Sequence, residues 1–282
     1  MMRSRLIVVF ALLVLTGCAI TLRESMLFMP SKAPVLSDSI QRRNLEIPLP
    51  EGGALRGWEL IHPEARANLI YFYGNAEQVV RYGSRLYVLA ERFRLNVFCL
   101  DYRGFGASDG KPTIKILRED ALRIFDETAA LRTGLPTIVM SFSIGTVPAI
   151  HLAANRPVDG LVLMAPVSSV DDVLPAWKHL GPWYTKLFMA FLRIKPEASL
   201  TQKPQPLDEM WGVRAPLLVI HGENDRIVPL ACGQKIHDTA SSSSKVLVVV
   251  PGTDHNDLDL ELEEGPPRKA FENLLDQVAP VR

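Results

Sequence analysis

Short, continuous runs of Val, Ile and Leu alternate along this 282-residue chain with longer segments of helical periodicity, and this alternation narrows the choice of fold more than any other feature. Apolar runs without polar alternation are typical of parallel strands that are covered on both faces. Amphipathic helices between the strands supply that cover, as in 114–132, where apolar residues recur every three or four positions after a candidate N-cap, Thr113. The sequence therefore predicts an α/β fold, with a mostly parallel central sheet flanked by helices. The expected strands are 67–73, 96–100, 136–142, 160–164, 216–221 and 245–250, and the expected helices are 77–93, 114–132, 144–155, 230–239 and 267–278.

Two segments depart from this alternation. Residues 45–50 and 54–61 are expected to form an antiparallel hairpin, because the Glu-Gly-Gly sequence between them is typical of a turn. Residues from about 167 to 213 form an insert rich in aromatic side chains. We interpret it either as a helix packed on the sheet edge or as a helical cap whose aromatics line an acyl pocket, and the two interpretations are compatible. The side chains concerned are Trp177, Trp183, Tyr184, Leu187, Phe188, Phe191 and Trp211.

The composition excludes several classes of protein. Lys and Arg total 31 and Asp and Glu total 31, so the chain has no basic excess for binding nucleic acid. Three cysteines are too few and too scattered for a disulfide framework or a Cys-rich zinc site, and Cys99 and Cys232 are interpreted as free buried thiols. No His-x-x-x-His pair is present, and we expect neither a metal nor a cofactor.

The first 18 residues are interpreted as a targeting segment rather than a part of the fold. Arg3 and Arg5 precede the apolar run 6–15, which is too short to span a bilayer and has the length of the apolar part of a signal peptide. The run ends in Leu-Thr-Gly followed by Cys18, and this sequence resembles the lipobox of bacterial lipoproteins. A plain signal peptide with a chance cysteine, or a short membrane anchor, is the alternative.

The lipobox resemblance implies a domain organisation and a location. Residues 1–17 would be the signal peptide, 18–44 a lipidated N-terminus and tether, and 45–282 the α/β domain. Cys18 would carry the lipid and attach the protein to the bacterial cell envelope. Ala19 after the cysteine implies the outer membrane, facing the periplasm.

A serine lies where a strand is expected to turn sharply into a helix. Ser143 is the central residue of Ser-Phe-Ser-Ile-Gly, a variant of the Gly-x-Ser-x-Gly elbow, with Ser141 in place of the first glycine and Gly145 as the second. Small residues are needed at those two positions because the turn brings strand and helix backbones together. The sequence therefore predicts Ser143 as a nucleophile, although a serine in this place could also be an ordinary helix N-cap.

A serine nucleophile needs a base and a carboxylate that orients the base. Among the six histidines, we favour His255, which lies in a loop directly after the expected strand 245–250. Asp225, after the strand 216–221, is favoured as the acid, since open parallel sheets place their sites at the carboxyl ends of strands. The other histidines are His62, His151, His179, His221 and His237, and the rival acids are Glu223, Asp254 and Asp257.

Five motifs in order resemble the α/β-hydrolase superfamily over residues 45–278. They are the elbow, the Gly-Glu-Asn-Asp-x-x-Val-Pro loop with Asp225, the Asp-His loop with His255, Tyr-Gly-Asn-Ala at 73–76 and Asp-Tyr-Arg-Gly-Phe-Gly-Ala-Ser at 101–108. The last motif resembles the subgroup of serine aminopeptidases, monoglyceride lipases and depalmitoylating enzymes. Tyr73 stands where that family usually has His.

The resemblance implies an oxyanion hole and an activity. Its donors would be the backbone N–H groups of Asn75, or of Ala76 as the fallback, and of Ile144. Arg103 is interpreted either as a structural ion-pair residue or as a substrate ligand. The expected function is hydrolysis of an ester or thioester of a small acyl substrate through Ser143, His255 and Asp225. An aminopeptidase or amidase of the same fold, or a non-catalytic binding module, is the alternative.

Overall fold

An eight-stranded sheet forms the centre of the part of the chain that this computed structural model describes, namely residues 19–32, 42–132, 134–180, 193–260 and 264–280. A separate two-stranded sheet lies beside it. The strands are β1 (Ala19–Leu22), β2 (Arg43–Pro48), β3 (Ala54–Leu60), β4 (Ala67–Phe72), β5 (Leu95–Leu100), β6 (Thr137–Phe142), β7 (Gly160–Met164), β8 (Arg193–Pro196), β9 (Leu217–Gly222) and β10 (Lys245–Val250).

The large sheet has the order β10-β9-β7-β6-β4-β5-β3-β2. The opening hairpin β2–β3 is antiparallel and joins β5 in antiparallel register, whereas the remaining pairs are parallel. The parallel strands therefore have their carboxyl ends at the same edge, which is where the expected site residues follow their strands.

Helices cover both faces of this sheet, and the predicted fold class, a mostly parallel sheet flanked by helices, is confirmed. The helices are α1 (Val79–Phe93), α2 (Ile114–Glu127), α3 (Thr146–Asn155), α4 (Val170–Trp177), α5 (Ala198–Thr201), α6 (Pro206–Glu209), α7 (Leu230–Thr239) and α8 (Pro266–Val278). Short 3-10 turns occur at Glu24–Met26, Ser143–Gly145, Met210–Gly212 and His255–Asp257. Within the described ranges, no helix combines the length and apolar character needed to cross a bilayer.

The core lies between the sheet and its helices. Every residue of β4, β5 and β7 is buried, as expected for strands whose two faces are both covered. Phe93 at the end of α1 meets Phe271 of α8 edge-on with ring centroids 4.9 Å apart, so these helices pack against each other as well as against the sheet. This packing fixes the strand ends that carry the site.

Two predicted elements differ from the structure. The apolar run 245–250 was expected to be a covered strand, but β10 is the sheet edge, and Val246 and Val249 are exposed. The helix expected over 114–132 ends at Glu127, and residues 128–132 continue as turns, with the Thr128 hydroxyl donating to the Ile124 carbonyl at 2.6 Å. Apolar composition alone does not distinguish an edge strand from a central one.

The insert predicted as a cap is partly described. Its helix α4 carries Trp177, whose indole N–H donates to the Ile227 carbonyl at 2.9 Å, while Trp211 is 67% exposed. The aromatic face predicted at Trp183, Tyr184, Leu187, Phe188 and Phe191 lies outside the described residues, as do Arg3, Arg5 and Cys18.

Candidate active site

The turn from β6 into the following helix lifts the Ser143 side chain out of the sheet. Ser143 has a φ of 55°, a left-handed backbone conformation that is uncommon for a residue with a side chain. Two residues later, Gly145 lies so close to β4 that a Cβ there would stand 2.2 Å from the Phe72 carbonyl oxygen. The predicted elbow is therefore formed, and its second small position is required by contact with a neighbouring backbone.

The structure brings Ser143, His255 and Asp225 together in one hydrogen-bonded relay. His255 Nε2 lies 3.0 Å from Ser143 Oγ, and His255 Nδ1 lies 2.7 Å from Asp225 Oδ2. A carboxylate only accepts hydrogen bonds, so Nδ1 carries the proton and Nε2 is left to accept the proton of the serine hydroxyl. All three side chains are buried, and the Phe142 ring packs against the imidazole with centroids 4.9 Å apart.

Asp225 is held ionised by its surroundings. Burial raises the pKa of its carboxyl, but the hydrogen bonds from His221 and His255 and the electrostatic interaction with the imidazole of His255 outweigh burial, so the pKa lies well below its usual range. Asp225 Oδ1 also accepts the backbone N–H groups of Ile227 and Val228 at 2.9 and 2.8 Å. The carboxylate thus stays charged and fixed in direction at neutral pH.

The rival acids hold the loops instead of the imidazole. Glu223 Oε2 accepts the Gly252 N–H at 2.9 Å, and Asp254 Oδ1 accepts the backbone N–H groups of Arg226 and His255 at 3.0 and 2.8 Å. Asp254 also forms an ion pair with the Arg226 guanidinium, which joins the Asp225 loop to the His255 loop. These contacts fix the loops that carry His255 and Asp225.

Sequence reasoning did not identify His221 as a partner of the acid. Its imidazole is fully buried, with Nε2 2.8 Å from the Val228 carbonyl oxygen and 3.4 Å from Asp225 Oδ2. His221 ends a strand four residues before Asp225, and this spacing is the signal that could have placed the two together. Elsewhere His151 contacts Glu209 at 2.5 Å and His62 accepts the Glu64 N–H at 3.0 Å.

The turn after β4 lies beside the serine. Asn75 and Ile144, whose backbone N–H groups were predicted as oxyanion donors, line the same cavity as Ser143 and His255. The fallback donor, the Ala76 N–H, points to the Asn75 Oδ1 atom at 3.1 Å. Since that N–H already has an acceptor, the arrangement favours Asn75 over Ala76.

Tyr73 supports this turn in place of the usual histidine. Its buried hydroxyl donates to Asp101 Oδ1 at 3.0 Å and accepts the Tyr102 N–H at 3.1 Å, while the Tyr102 hydroxyl donates to the Tyr73 carbonyl at 2.6 Å. Asp101 also accepts the Val79 N–H at the start of α1 and the Ala107 N–H. The Asp-Tyr-Arg-Gly loop is therefore connected to the turn at 73–76, which we call the oxyanion turn because it carries Asn75, the predicted oxyanion donor.

Arg103 of that loop forms ion pairs within the protein. Its guanidinium is buried and binds Asp120 through Nε and Nη2 at 2.7–3.1 Å, and it also pairs with Glu51. Of the two interpretations of Arg103, the structure supports the ion pair.

A mainly apolar cavity of about 650 Å³ opens over Ser143. Its ionisable lining side chains are Glu77, Arg118 and His255. The cap insert contributes one side of the wall and the segment before β2 another. The apolar lining residues are Leu22, Met26, Leu27, Met29, Ala76, Ile114, Phe142, Ile144, Val147, Val167, Val170, Val173, Trp177, Leu180, Leu200, Pro206, Ile227 and Val228.

The sequence matches a known family. The profile of the family described as "Serine aminopeptidase, S33" matches residues 63–211, just over half of the chain. An uncharacterized protein of Mycobacterium tuberculosis (strain CDC 1551) is 30% identical over 247 residues, which cover 84% of this chain and 82% of that protein.

Two animal proteins are similar over a shorter part. "Alpha/beta hydrolase domain-containing protein aho-3" of Caenorhabditis elegans is 33% identical over 201 residues, and human "Alpha/beta hydrolase domain-containing protein 17B" is 32% identical over 204 residues. Both matches cover 70% of this chain but only 55% and 63% of those proteins, so the chain spans less than two thirds of their length.

Solved structures share the fold at low sequence identity. The Pyrococcus furiosus esterase Pf2001 superposes with a TM-score of 0.68 at 16% identity, covering 89% of this chain and 99% of that chain. Mouse "Alpha/beta hydrolase domain-containing protein 10" superposes with a TM-score of 0.59 at 17% identity, covering 83% and 99%.

Two substitutions at the elbow should change stability in opposite directions. Gly145→Ala forces a Cβ against the Phe72 carbonyl, and we expect a loss of about 1–3 kcal/mol in the free energy of unfolding. Ser141→Ala removes a buried hydroxyl that has no hydrogen-bond partner among the described residues, and we expect a gain of about 1 kcal/mol. Urea denaturation followed by circular dichroism measures both. A Gly145→Ala protein as stable as the native one would contradict the close approach.

Proposed function

This chain belongs to the serine aminopeptidase, S33, family of α/β-hydrolases, and from this premise we propose that it is a serine hydrolase that cleaves acyl esters or thioesters. The observation that carries the proposal is the continuous relay from Ser143 Oγ through His255 to Asp225, with heavy-atom distances of 3.0 and 2.7 Å. Distances of this length fit the proton transfer that makes a hydroxyl nucleophilic.

The reaction would begin with attack of Ser143 Oγ on the substrate carbonyl carbon. As the new C–O bond forms, His255 Nε2 takes the hydroxyl proton and the carbonyl oxygen becomes an oxyanion. Asp225 holds the imidazole with Nδ1 protonated and stabilises the imidazolium, because its own carboxyl remains ionised.

The oxyanion would be bound by the backbone N–H groups of Asn75 and Ile144, two residues that line the cavity together with Ser143. One such donor typically contributes about 3 kcal/mol to stabilisation of the transition state. Collapse of the intermediate transfers the imidazolium proton to the leaving alkoxide or thiolate and leaves an acyl-enzyme on Ser143.

Water would then complete the turnover. His255 takes a proton from the water, the resulting hydroxide attacks the acyl carbonyl, and the acid product leaves as the proton returns to Ser143 Oγ. The reaction steps proposed above use only these side chains, backbone N–H groups and water, and need no metal or cofactor. Within the described ranges, no cluster of three His, Cys, Asp or Glu side chains could hold a metal ion.

The lining of the cavity favours an acyl substrate over a peptide with a free amino group. Its wall is mainly apolar, and such surface gains free energy by burying an alkyl or aryl chain. An aminopeptidase would need a carboxylate to bind the ammonium group, and Glu77 is the carboxylate among the lining residues that the structure describes. The guanidinium groups of Arg81 and Arg85 already interact electrostatically with Glu77, which works against that role.

Kinetics on matched chromogenic substrates test the proposal. We expect hydrolysis of p-nitrophenyl butyrate to exceed that of leucine p-nitroanilide in kcat/KM, and Ser143→Ala to lower ester hydrolysis by roughly 10⁴- to 10⁶-fold. Ser141→Ala, which removes a hydroxyl two residues away, is the matched control and should retain activity. Faster cleavage of the anilide would favour the aminopeptidase, and equal activity of Ser143→Ala and native protein would refute the mechanism.

We further propose that Cys18 is the site of lipid attachment and that the hydrolase is held at the bacterial envelope. The support is the order of residues 3–18: two arginines, then the apolar run 6–15, then two small residues directly before Cys18. Metabolic labelling of the expressing bacteria with a radioactive fatty acid should label the native protein and leave Cys18→Ala unlabelled. Label retained in Cys18→Ala would contradict lipid attachment at this residue.

A further inference from the structure

The segment of residues 19–32, which we call the N-terminal strap, is packed around the mouth of the cavity. Its strand β1 runs parallel to β8 of the cap insert, and the Leu22 carbonyl accepts the Glu197 N–H at 2.9 Å just beyond that pair. The sequence led us to expect a tether over 18–44, but the described part of that range is bound to the domain. The strap therefore joins the cap to the body of the protein.

Glu24 anchors the middle of the strap at two places. Its backbone N–H donates to Glu197 Oε2 at 2.8 Å, and its own Oε1 accepts the Ile114 N–H at the start of α2 at 2.6 Å. A carboxylate at a helix N-terminus is stabilised by the unpaired N–H groups there. These bonds hold the first half of the strap against both the cap and the helix layer.

The second half of the strap is fixed to the oxyanion turn and the loop behind it. Asn75 Nδ2 donates to the Leu27 carbonyl at 2.5 Å, and Asn75 Oδ1 accepts the Met29 N–H at 2.9 Å. Phe28 between them is buried edge-on against Phe105, with ring centroids 6.5 Å apart. The Asn75 side chain thus binds the strap, while the backbone N–H of the same residue is the proposed oxyanion donor.

Four strap side chains form part of the cavity wall: Leu22, Met26, Leu27 and Met29. Leu22 and Leu27 are half-buried, whereas Met26 and Met29 are 58% and 57% exposed at the mouth. Exposed thioether side chains are flexible enough to adapt to bound chains of different shape. None of the four carries a charge or a hydrogen-bonding group strong enough to orient a polar substrate.

We propose that the strap is the specificity wall for the acyl chain of the substrate and that Asn75 is a positioning residue that couples this wall to the oxyanion hole. The inference rests on the proposed serine hydrolase function. The coupling arises because the Asn75 side-chain amide binds two backbone groups of the strap. A displacement of the strap would therefore also displace the Asn75 backbone N–H, the proposed oxyanion donor. A misplacement of about 1 Å can cost roughly 100-fold in rate.

Leu22→Ala and Met26→Ala in the full-length chain test the wall. We expect the ratio of kcat/KM for p-nitrophenyl octanoate to that for p-nitrophenyl acetate to fall by about tenfold, because apolar contact with the longer chain is lost. The ratio does not depend on how much of the variant is folded. Ile20→Ala is the matched control, since Ile20 lies in the same strand but not on the cavity wall, and should leave the ratio unchanged.

An unchanged ratio in Leu22→Ala and Met26→Ala, or an equal fall in Ile20→Ala, would contradict the role of the strap in acyl-chain specificity. The proposed serine hydrolase function would not be affected by either result. Calorimetric binding of decanoate is the second readout. Decanoate should bind the native chain more tightly than Leu22→Ala and as tightly as it binds Ile20→Ala. A native chain that hydrolyses neither ester would refute the proposed function. The difference in decanoate affinity between the native chain and Leu22→Ala would then be the remaining test of whether the strap binds acyl chains.

Asn75→Ala and Asn75→Asp test the coupling. We expect Asn75→Ala to lower kcat for p-nitrophenyl acetate by roughly 10- to 100-fold with little change in KM, because an oxyanion donor acts in the transition state. Asn75→Asp keeps the acceptor for the Met29 N–H, but it sets a carboxylate against the Leu27 carbonyl oxygen and adds a negative charge beside the oxyanion, so it should lower kcat at least as much as Asn75→Ala. A lowered melting temperature with kcat unchanged would assign Asn75 a structural role only.

Discussion

Two backbones approach so closely at the elbow that no side chain fits between them, and the geometry of the site depends on this approach. The start of the helix that carries Ser143 lies against the end of β4, where Gly145 faces the Phe72 carbonyl. The contact explains the glycine, and two residues earlier Ser143 adopts the left-handed conformation of the sharp turn. Since β4 also leads directly into the turn with Asn75, the same contact sets Ser143, the proposed nucleophile, beside the proposed oxyanion donor.

Two connected networks then surround this contact. On one side, Asp225 is fixed by backbone N–H groups, His221 and His255, while the Arg226–Asp254 ion pair holds the two loops together. On the other side, Tyr73 and Asp101 join the oxyanion turn to the start of α1. Buried hydrogen-bonded groups of this kind are costly to leave unpaired, so each network tends to keep its geometry. These networks surround the atoms whose distances the proposed chemistry depends on.

The sequence was sufficient to predict the relay because each of its members follows a strand of strongly apolar character. Parallel strands end at a common edge, so Ser143, Asp225 and His255 had to lie near one another once their strands were identified. The position of β10 at the sheet edge could not be predicted, because strand order depends on contacts far apart in sequence. The role of the Tyr73 hydroxyl could not be predicted either, since it depends on a contact with Asp101, 28 residues away in the sequence.

The N-terminal strap was missed for a different reason. Residues 19–32 have neither the periodicity of a helix nor a long continuous apolar run, and they are held by pairing with β8 and by hydrogen bonds to Asn75, Ile114 and Glu197. Such contacts leave no pattern in the local sequence. They appear only when the fold has brought the oxyanion turn, α2 and the cap insert to one place.

The central claim is that His255 makes one particular hydroxyl nucleophilic, and the most direct measurement is the location and rate of a covalent adduct with a fluorophosphonate. Peptide mass mapping of the treated protein should find the adduct on Ser143 of the native chain. The rate of its formation should fall steeply in His255→Ala. An adduct on a different residue, or one that forms on Ser143 at the same rate without the imidazole, would contradict the account.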